Sequence, residues 1–228
     1  VKITIKIPMA KKSDIANYFS RPFWTKFASW LIIPGIICLP LEITGLGVIL
    51  LAGGGYIVFS KLVGGLTDQQ IEEEYKLFAE RNFEKAKKTC GIEDDMLVQS
   101  ADWFWFIPNR TMEGNNPKII QGKDKIWRSN TRGICILNYG NDQIFSWEQL
   151  TNIETGLVSY EDTSEYYYQD VVGMEIDQGT TLTFKTSGGP KSYMIAGGVN
   201  NKESGDTERA RTVIQVVRQM LREKKKSK

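Results

Sequence analysis

Five basic residues surround a tryptophan in the segment KIIQGKDKIWRSNTR, inside an otherwise acidic part of the chain. They are Lys118, Lys123, Lys125, Arg128 and Arg132. Ammonium and guanidinium groups on one loop and its flanking strands can hold a phosphate through charge-assisted hydrogen bonds. The cluster predicts a site for an anionic ligand, either a lipid headgroup or a nucleotide. The alternative is that these side chains face water from alternating strand positions.

Other residue types argue against common enzymatic chemistry. The chain contains no histidine, which removes Ser-His-Asp and Cys-His arrangements and most catalytic zinc sites. No phosphate-cradling G-x-x-x-x-G-K-[ST] loop is present. Cys38, Cys90 and Cys135 show neither a disulfide framework nor a metal spacing, and the acidic groups at 93–95 and 161–165 lack the spacing of a calcium loop. We therefore expect a non-enzymatic protein with no catalytic residues, cofactor or metal.

The charge of the chain is segmented, although the net charge is only +2. Residues 1–26 and 218–228 each carry a net charge of +5, whereas residues 61–217 contain 17 basic and 24 acidic residues. Basic ends beside an apolar run suit anionic lipid headgroups, with each Lys or Arg contributing about 1 kcal/mol. Nucleic acid is not expected as a partner, because its phosphates would meet a mostly acidic domain.

The stretch SWLIIPGIICLPLEITGLGVILLAGGGYIVFS, residues 29–60, contains one charged side chain, Glu42. A continuous helix over 27–60 would be about 51 Å long, against roughly 30 Å of hydrocarbon. Breaking the run at Pro40 and Glu42 gives two bilayer-length arms and predicts a transmembrane hairpin with both termini in the cytoplasm. Packing of the arms would use the glycines Gly45, Gly47, Gly53, Gly54 and Gly55. A soluble core and an interfacial or re-entrant hairpin are the alternatives.

The remaining segments complete the predicted organisation. The chain divides into an N-terminal strand and interfacial helix (1–21), the hairpin (22–63), a connecting helix (67–90), a β-rich cytoplasmic domain (92–223) and a basic tail (224–228). VKITIKIP alternates apolar with polar residues, as a half-buried strand does, and needs a partner sheet. Short β-patterned segments follow Met96, and an amphipathic helix ends the domain. Together they predict a mostly antiparallel sheet or small barrel closed by that helix.

The segment RGICILNYGNDQIFSWEQLTNIET, followed by TLTFKTSG and a C-terminal amphipathic helix, resembles the bacterial pleckstrin-homology-like (PH-like) domains. In that family a strand pair ends in an aromatic-x-acid-aliphatic segment, matched here by Trp147, Glu148, Gln149 and Leu150. The resemblance covers about residues 118–223, and the long insert GLVSYEDTSEYYYQDVVGMEID departs from it. It implies a seven-stranded bent sheet or barrel plugged by the helix, attached to a short membrane hairpin, with a binding or scaffolding role.

The expected fold class is therefore α+β, with a transmembrane hairpin, a connecting helix and a PH-like β domain. We expect a membrane-anchored scaffold or accessory subunit whose PH-like domain binds a protein partner or an anionic headgroup. Membrane lipids and a homo-oligomer or larger membrane complex are the expected partners. The alternative is an oligomeric membrane effector or channel subunit gated by a small anionic ligand. The glycines of the second arm and Glu42 favour this alternative.

Overall fold

A computed structural model of the chain describes residues 10–38, 44–58, 66–107, 117–195 and 205–226. The α-helices in these ranges are α1 (Lys12–Cys38), α2 (Thr44–Val58), α3 (Asp68–Thr89) and α4 (Gly205–Lys226), and a short 3-10 helix covers Asp94–Met96. The strands are β1 (Leu97–Phe106), β2 (Ile119–Gln121), β3 (Trp127–Ser129), β4 (Thr131–Gly140), β5 (Gln143–Asn152), β6 (Leu157–Tyr167), β7 (Val171–Asp177), β8 (Thr181–Thr186) and β9 (Gly189–Met194). The chain forms two compact units, one of residues 1–74 with 118–120 and one of residues 75–117 with 121–228.

The first unit contains the helix pair α1 and α2. The two helices approach closely at Gly54, where an added Cβ would lie 2.6 Å from Cγ1 of Ile32. Tyr18 ties α1 to the start of α3, because its hydroxyl donates a 2.9 Å hydrogen bond to Asp68. Exposed apolar side chains of the pair are Trp30, Ile33, Ile36, Ile37, Leu46, Val48, Ile49 and Tyr56. α1 begins at Lys12, ten residues before the expected start of the hairpin at residue 22, and runs through that residue.

The transmembrane part of the expected fold class is wrong. None of the helices in the described ranges has both the length and the apolar character needed to cross a bilayer. The 15 residues of α2 rise only about 22 Å, less than the roughly 30 Å of the hydrocarbon core. The longer α1 includes Lys12, Arg21 and Lys26. The same finding overturns the expected integral membrane location with cytoplasmic termini. The expected turn residues Pro40 and Glu42 lie outside the described residues.

The second unit is built on two antiparallel sheets, which confirms the predicted α+β class. One has the strand order β1-β4-β5-β6 and the other the order β7-β8-β9. A single bridge between Ile107 and Met194 joins the end of β1 to β9. β6 and β7 are outer strands of their sheets, so the expected closure into a barrel is wrong for the described strands, which form open sheets.

The core of the second unit lies between the inner faces of the sheets and α4. The helix buries an apolar stripe with the period of an amphipathic helix, as the sequence predicts. The stripe consists of Ala210, Val213, Ile214, Val217, Met220 and Leu221. Full burial of an aliphatic side chain contributes about 1.5–3 kcal/mol, so this face fixes α4 on the sheets. On the opposite face of the four-stranded sheet, Trp105 contacts the rings of Tyr75 and Phe78 on α3, at centroid distances of 5.4 and 5.9 Å.

Candidate functional site

A groove of about 600 Å³ lies between the outer strand β7 and the C-terminal half of α4. Its walls are formed by Val172, Gly173, Met174, Glu175, Lys185, Arg218, Leu221 and Arg222. β7 pairs with β8 on one side and with no strand on the other within the described residues. The backbone N–H and C=O groups on that side are therefore not used in a sheet. The volume falls within the range typical of ligand sites.

The groove is cationic. Lys185, Arg218 and Arg222 line it, against the single carboxylate of Glu175. Lys185 Nζ lies 2.7 Å from Glu175 Oε1, which leaves two guanidinium groups as excess positive charge. Arg218 donates from Nη2 to the backbone carbonyl of Met174 on β7, at 3.0 Å. This contact shows that the backbone of the strand accepts hydrogen bonds from groups that are not part of the sheet.

The floor of the groove is apolar and open. Met174 and Leu221 are buried beneath it, whereas Val172 is 69% exposed. The register between β7 and β8 shifts between Val171 and Gly173, so Val172 lies in a bulge. An added Cβ on Gly173 would meet no atom within 4 Å. The groove thus offers backbone hydrogen-bonding groups, an apolar floor and two guanidinium groups, a set suited to binding an extended chain.

Two of the five residues of the predicted anion site are used inside the protein. Arg128 is 1% exposed and forms a two-pronged ion pair with Asp124, at 2.9 Å from Nη1 and 2.6 Å from Nη2. These hydrogen bonds hold the pKa of Asp124 below its usual value. Arg132 is also buried, with its guanidinium 4.4 Å from the centre of the Tyr75 ring. It donates a 3.3 Å hydrogen bond to the carbonyl of Trp127.

The three lysines of the same prediction are exposed. Lys118 belongs to the first unit, and Lys123 and Lys125 belong to the second. Lys125 has a φ of +64° in the tight turn before β3. Within the second unit, the structure leaves two lysines of the predicted cluster on the surface and turns both arginines inward.

The predicted packing glycines of α2 differ in their surroundings. Gly54 is buried against α1, as described above. Gly53 and Gly55 have no atoms within 4 Å of an added Cβ. Gly45 and Gly47 lie in α2, but their surroundings fall outside the described part of the chain. Close helix approach is therefore seen at one of these glycines.

A buried polar network joins the inner faces of the two sheets. Glu148 on β5 accepts a 2.6 Å hydrogen bond from the hydroxyl of Tyr193 and lies 2.5 Å from Lys191 Nζ, both on β9. The Ser146 hydroxyl donates to the same carboxylate at 3.4 Å, and the Cys135 thiol lies 3.5 Å from that hydroxyl. Burial lowers the pKa of Lys191, but the hydrogen bond and charge of Glu148 outweigh it and raise the pKa above its ordinary value. The carboxylate has its partners within the protein, so this network joins the sheets.

A second cavity, of about 300 Å³, lies beside the first half of α4. It is lined by Asp102, Glu208, Arg209, Thr212 and Val213. Asp102 accepts a 3.1 Å hydrogen bond from Tyr139, and burial raises the pKa of Asp102. The Arg209 guanidinium stacks 3.8 Å above the Trp103 ring. Its two carboxylates and one guanidinium give the cavity neither the size nor the charge excess of the β7 groove. The described residues include no group of three or more metal-ligating side chains.

The sequence carries little local signal for the groove. One signal is the basic run that begins at Arg218, which the charge pattern of the chain predicts to face anionic lipid headgroups. Lys185 and Gly173 carry no local pattern that marks a site. Comparison of the chain with protein-family models, with curated proteins and with solved structures finds no match.

Proposed function

We propose that the second unit is a PH-like binding module that takes up an extended, acidic segment of a partner protein along the edge of β7. The observation that carries this proposal is the open edge of β7 facing the basic side of α4. The function is binding and scaffolding, as the resemblance to PH-like domains implies.

The strand order supports the PH-like assignment. A four-stranded and a three-stranded antiparallel sheet are followed by a helix whose apolar face fills the space between them. This agrees with the seven-stranded bent sheet plugged by a terminal helix that the resemblance implies. The short strands β2 and β3 lie in the connection between β1 and β4 and pair with each other as a separate two-stranded sheet.

The mode of binding follows from the chemistry of the groove. An extended peptide can add as a strand to an open sheet edge, where main-chain hydrogen bonds give affinity and pockets for alternate side chains give specificity. Guanidinium groups bind carboxylates in a two-pronged geometry, so Arg218 and Arg222 select acidic side chains. Apolar side chains of the same segment would cover Met174 and Leu221. The preferred ligand is therefore a segment in which acidic and apolar residues alternate.

A small phosphate ligand at the predicted basic cluster has less support. Arg128 and Arg132 are buried and bonded within the protein, which leaves Lys123 and Lys125 to face solvent in the second unit. Each lysine ammonium is a point charge, whereas the planar guanidinium of arginine can bind a phosphate in a bidentate geometry. The β7 groove has two arginines, an elongated space beside the strand and a strand edge that pairs with no other described strand, so we favour the peptide ligand.

A steric block tests the proposal. Gly173→Gln fills the groove, and the room around its Cβ predicts that the fold is retained. The matched control is Gly188→Gln, because Gly188 lies in the turn before β9 and an added Cβ there meets nothing closer than 3.8 Å. The probe is a display library of extended peptides in which Asp or Glu alternates with Val, Leu or Tyr. We expect selected peptides to lose at least about tenfold in affinity for the Gly173 variant, equivalent to about 1.4 kcal/mol.

A charge reversal tests the electrostatic part. Arg218→Glu should weaken binding of the selected peptides and reduce the dependence of affinity on salt concentration, because a charge pair is lost. Arg211→Glu makes the same charge change at an exposed α4 position that does not line the groove. Equal effects of the two reversals, or selection of basic peptides by the wild-type chain, would contradict the proposed function.

A further inference from the structure

β6 is another open edge among the described strands, and its charged side chains are carboxylates rather than lysines. β6 is the outermost strand of the four-stranded sheet, pairs with β5 on one side, and has no strand on its other side within the described residues. Natural proteins block long edges with charged side chains, especially lysine, with proline or with covering elements, because free N–H and C=O groups bind other strands. The 11 residues of β6 include no lysine, arginine or proline.

The side chains of β6 define which strand would fit this edge. Exposed apolar groups lie near both ends of the strand: Leu157, Val158, Tyr160 and Tyr167. Carboxylates lie between them, and Glu161 and Glu165 face the same side of the sheet because side chains alternate along a strand. Lys85 on α3 lies 2.8 Å from Glu161, which identifies this side as the one that α3 covers. A complementary strand would carry two basic residues four positions apart, with β-branched residues between them.

Residues 1–7 of the chain have this pattern. In an extended conformation of VKITIKI, Lys2 and Lys6 project to one side, and the branched residues Val1, Ile3, Ile5 and Ile7 project to the other. The four-residue spacing of the two lysines equals that of Glu161 and Glu165. Residues 1–7 lie outside the described residues, and their lysines are opposite in charge to the carboxylates of β6.

We propose that residues 1–7 of one copy add to β6 of a second copy as a further strand, which gives a strand-exchanged dimer. An antiparallel alignment that places Lys2 opposite Glu165 also places Lys6 opposite Glu161 and Thr4 opposite Thr163. Opposite charges facing each other across two strands are stabilising, whereas like charges are destabilising. Reciprocal exchange also closes the assembly with two-fold symmetry and satisfies both β6 edges. The proposal is independent of the β7 groove.

Charge exchange in the whole chain tests the proposal. The dimer dissociation constant is measured by sedimentation equilibrium for wild type, for Lys2→Glu with Lys6→Glu, for Glu165→Lys, and for the three changes combined. Glu165 is chosen because its one described hydrogen bond is a 3.2 Å contact from Gln143, so its replacement preserves the fold. We expect each partial variant to dimerise at least tenfold more weakly than wild type, and the combined variant to regain at least part of that loss.

Matched controls separate this interaction from general charge effects. Lys11→Glu with Lys12→Glu makes the same charge change just beyond the segment, and Asp177→Lys makes the matching change on β7, an edge strand of the other sheet. Neither should change the dimer constant by more than twofold. A wild-type chain that stays monomeric at every concentration would overturn the proposal. So would a dimer that the Lys2, Lys6 and Glu165 changes leave intact, or a combined variant no stronger than the partial ones.

Discussion

Replacement of Glu148 by leucine should destabilise the β-rich unit more than most single changes in its core. Glu148 is 4% exposed and accepts contacts of 2.6 Å from Tyr193 and 2.5 Å from Lys191. The replacement leaves a half-buried ammonium and a buried hydroxyl without their acceptor. Removal of one partner of a buried ion pair costs about 3–5 kcal/mol. The Lys191 side chain is 31% exposed and lies 3.8 Å from Asp162, so water and that carboxylate compensate in part. We therefore expect a loss of about 3 kcal/mol, at the lower end of this range.

A double-mutant cycle measures this coupling. The free energy of unfolding is determined in urea by tryptophan fluorescence for Glu148→Leu, Lys191→Met and the double variant. An apolar pair of similar volume can replace a buried ion pair at little cost, so the double variant should be more stable than Glu148→Leu alone. The reasoning is refuted if Glu148→Leu lies within about 0.5 kcal/mol of wild type, the range of ordinary surface changes, or if the two single effects add.

The pH dependence of the same cycle has a defined sign. The pKa of Lys191 is raised above its ordinary value of 10.5. Its contribution to stability is therefore fully present below pH 10.5 and is lost as the pH rises through the higher folded pKa. The stability difference between wild type and Lys191→Met should stay constant across neutral pH and shrink only under strongly alkaline conditions. A difference that already shrinks between neutral and mildly alkaline pH would contradict the assigned ion pair.

Three further predictions concern individual side chains. Gly133→Ala should lower the free energy of unfolding by about 1–3 kcal/mol, measured by chemical denaturation, because the new Cβ would lie 2.2 Å from the Phe106 ring. Gly173→Ala is the control and should cause no such loss, because its Cβ would meet no atom within 4 Å. The Arg128 hydrogen bonds lower the pKa of Asp124 from its ordinary value of 3.8. Wild type should therefore be more stable than Asp124→Asn at neutral pH, and this stability difference should be lost as the pH falls below about 4. A stability difference that grows in acid would refute this prediction. Burial, with the nearby charge of Glu165, raises the pKa of Cys90 from 9.0 to about 11, so mass spectrometry should find its alkylation at pH 8 roughly a hundredfold slower in the folded than in the unfolded chain.

Local signals in the sequence predicted several elements correctly. α3, Asp68–Thr89, lies within the connecting helix expected over 67–90. At its start, Thr67 and Gln70 exchange hydrogen bonds of 3.2 and 2.8 Å between side chain and backbone, as in a capping box. The amphipathic stripe of α4 is the one expected from its period. β6 was treated as part of an insert, because an edge strand exposed on both faces has no apolar alternation to identify it. Capping and helical-period signals therefore predicted helices correctly, whereas the apolar run at 29–60 gave a transmembrane hairpin that the structure contradicts, and no local signal identified the pairing of distant strands.

The residues of the predicted anion site show that local sequence does not reveal which basic side chains are buried. Arg128 and Lys125 belong to the same basic segment, yet one is buried and the other exposed. The difference comes from Asp124, which bonds the arginine in the folded turn, and composition alone does not reveal that pairing. The groove joins β7 to α4, more than 40 residues later in the chain, so no local spacing marks it. The distribution of charge along the chain predicts an anionic ligand, whereas the position of the groove depends on the order of the strands in the sheets.

The edges of β6 and β7 differ in the sign of the charges beside them, so we expect the two proposed partners to bind separate edges. β6 carries carboxylates and no basic residue, whereas β7 faces Arg218 and Arg222 on α4. An acidic segment is therefore attracted to β7 and repelled by β6, and a basic segment behaves in the opposite way. Glu165→Lys should leave peptide affinity at the groove unchanged, and Gly173→Gln should leave the dimer constant unchanged. If either variant affects both measurements, the two edges are coupled, and the assignment of one partner to each edge is wrong.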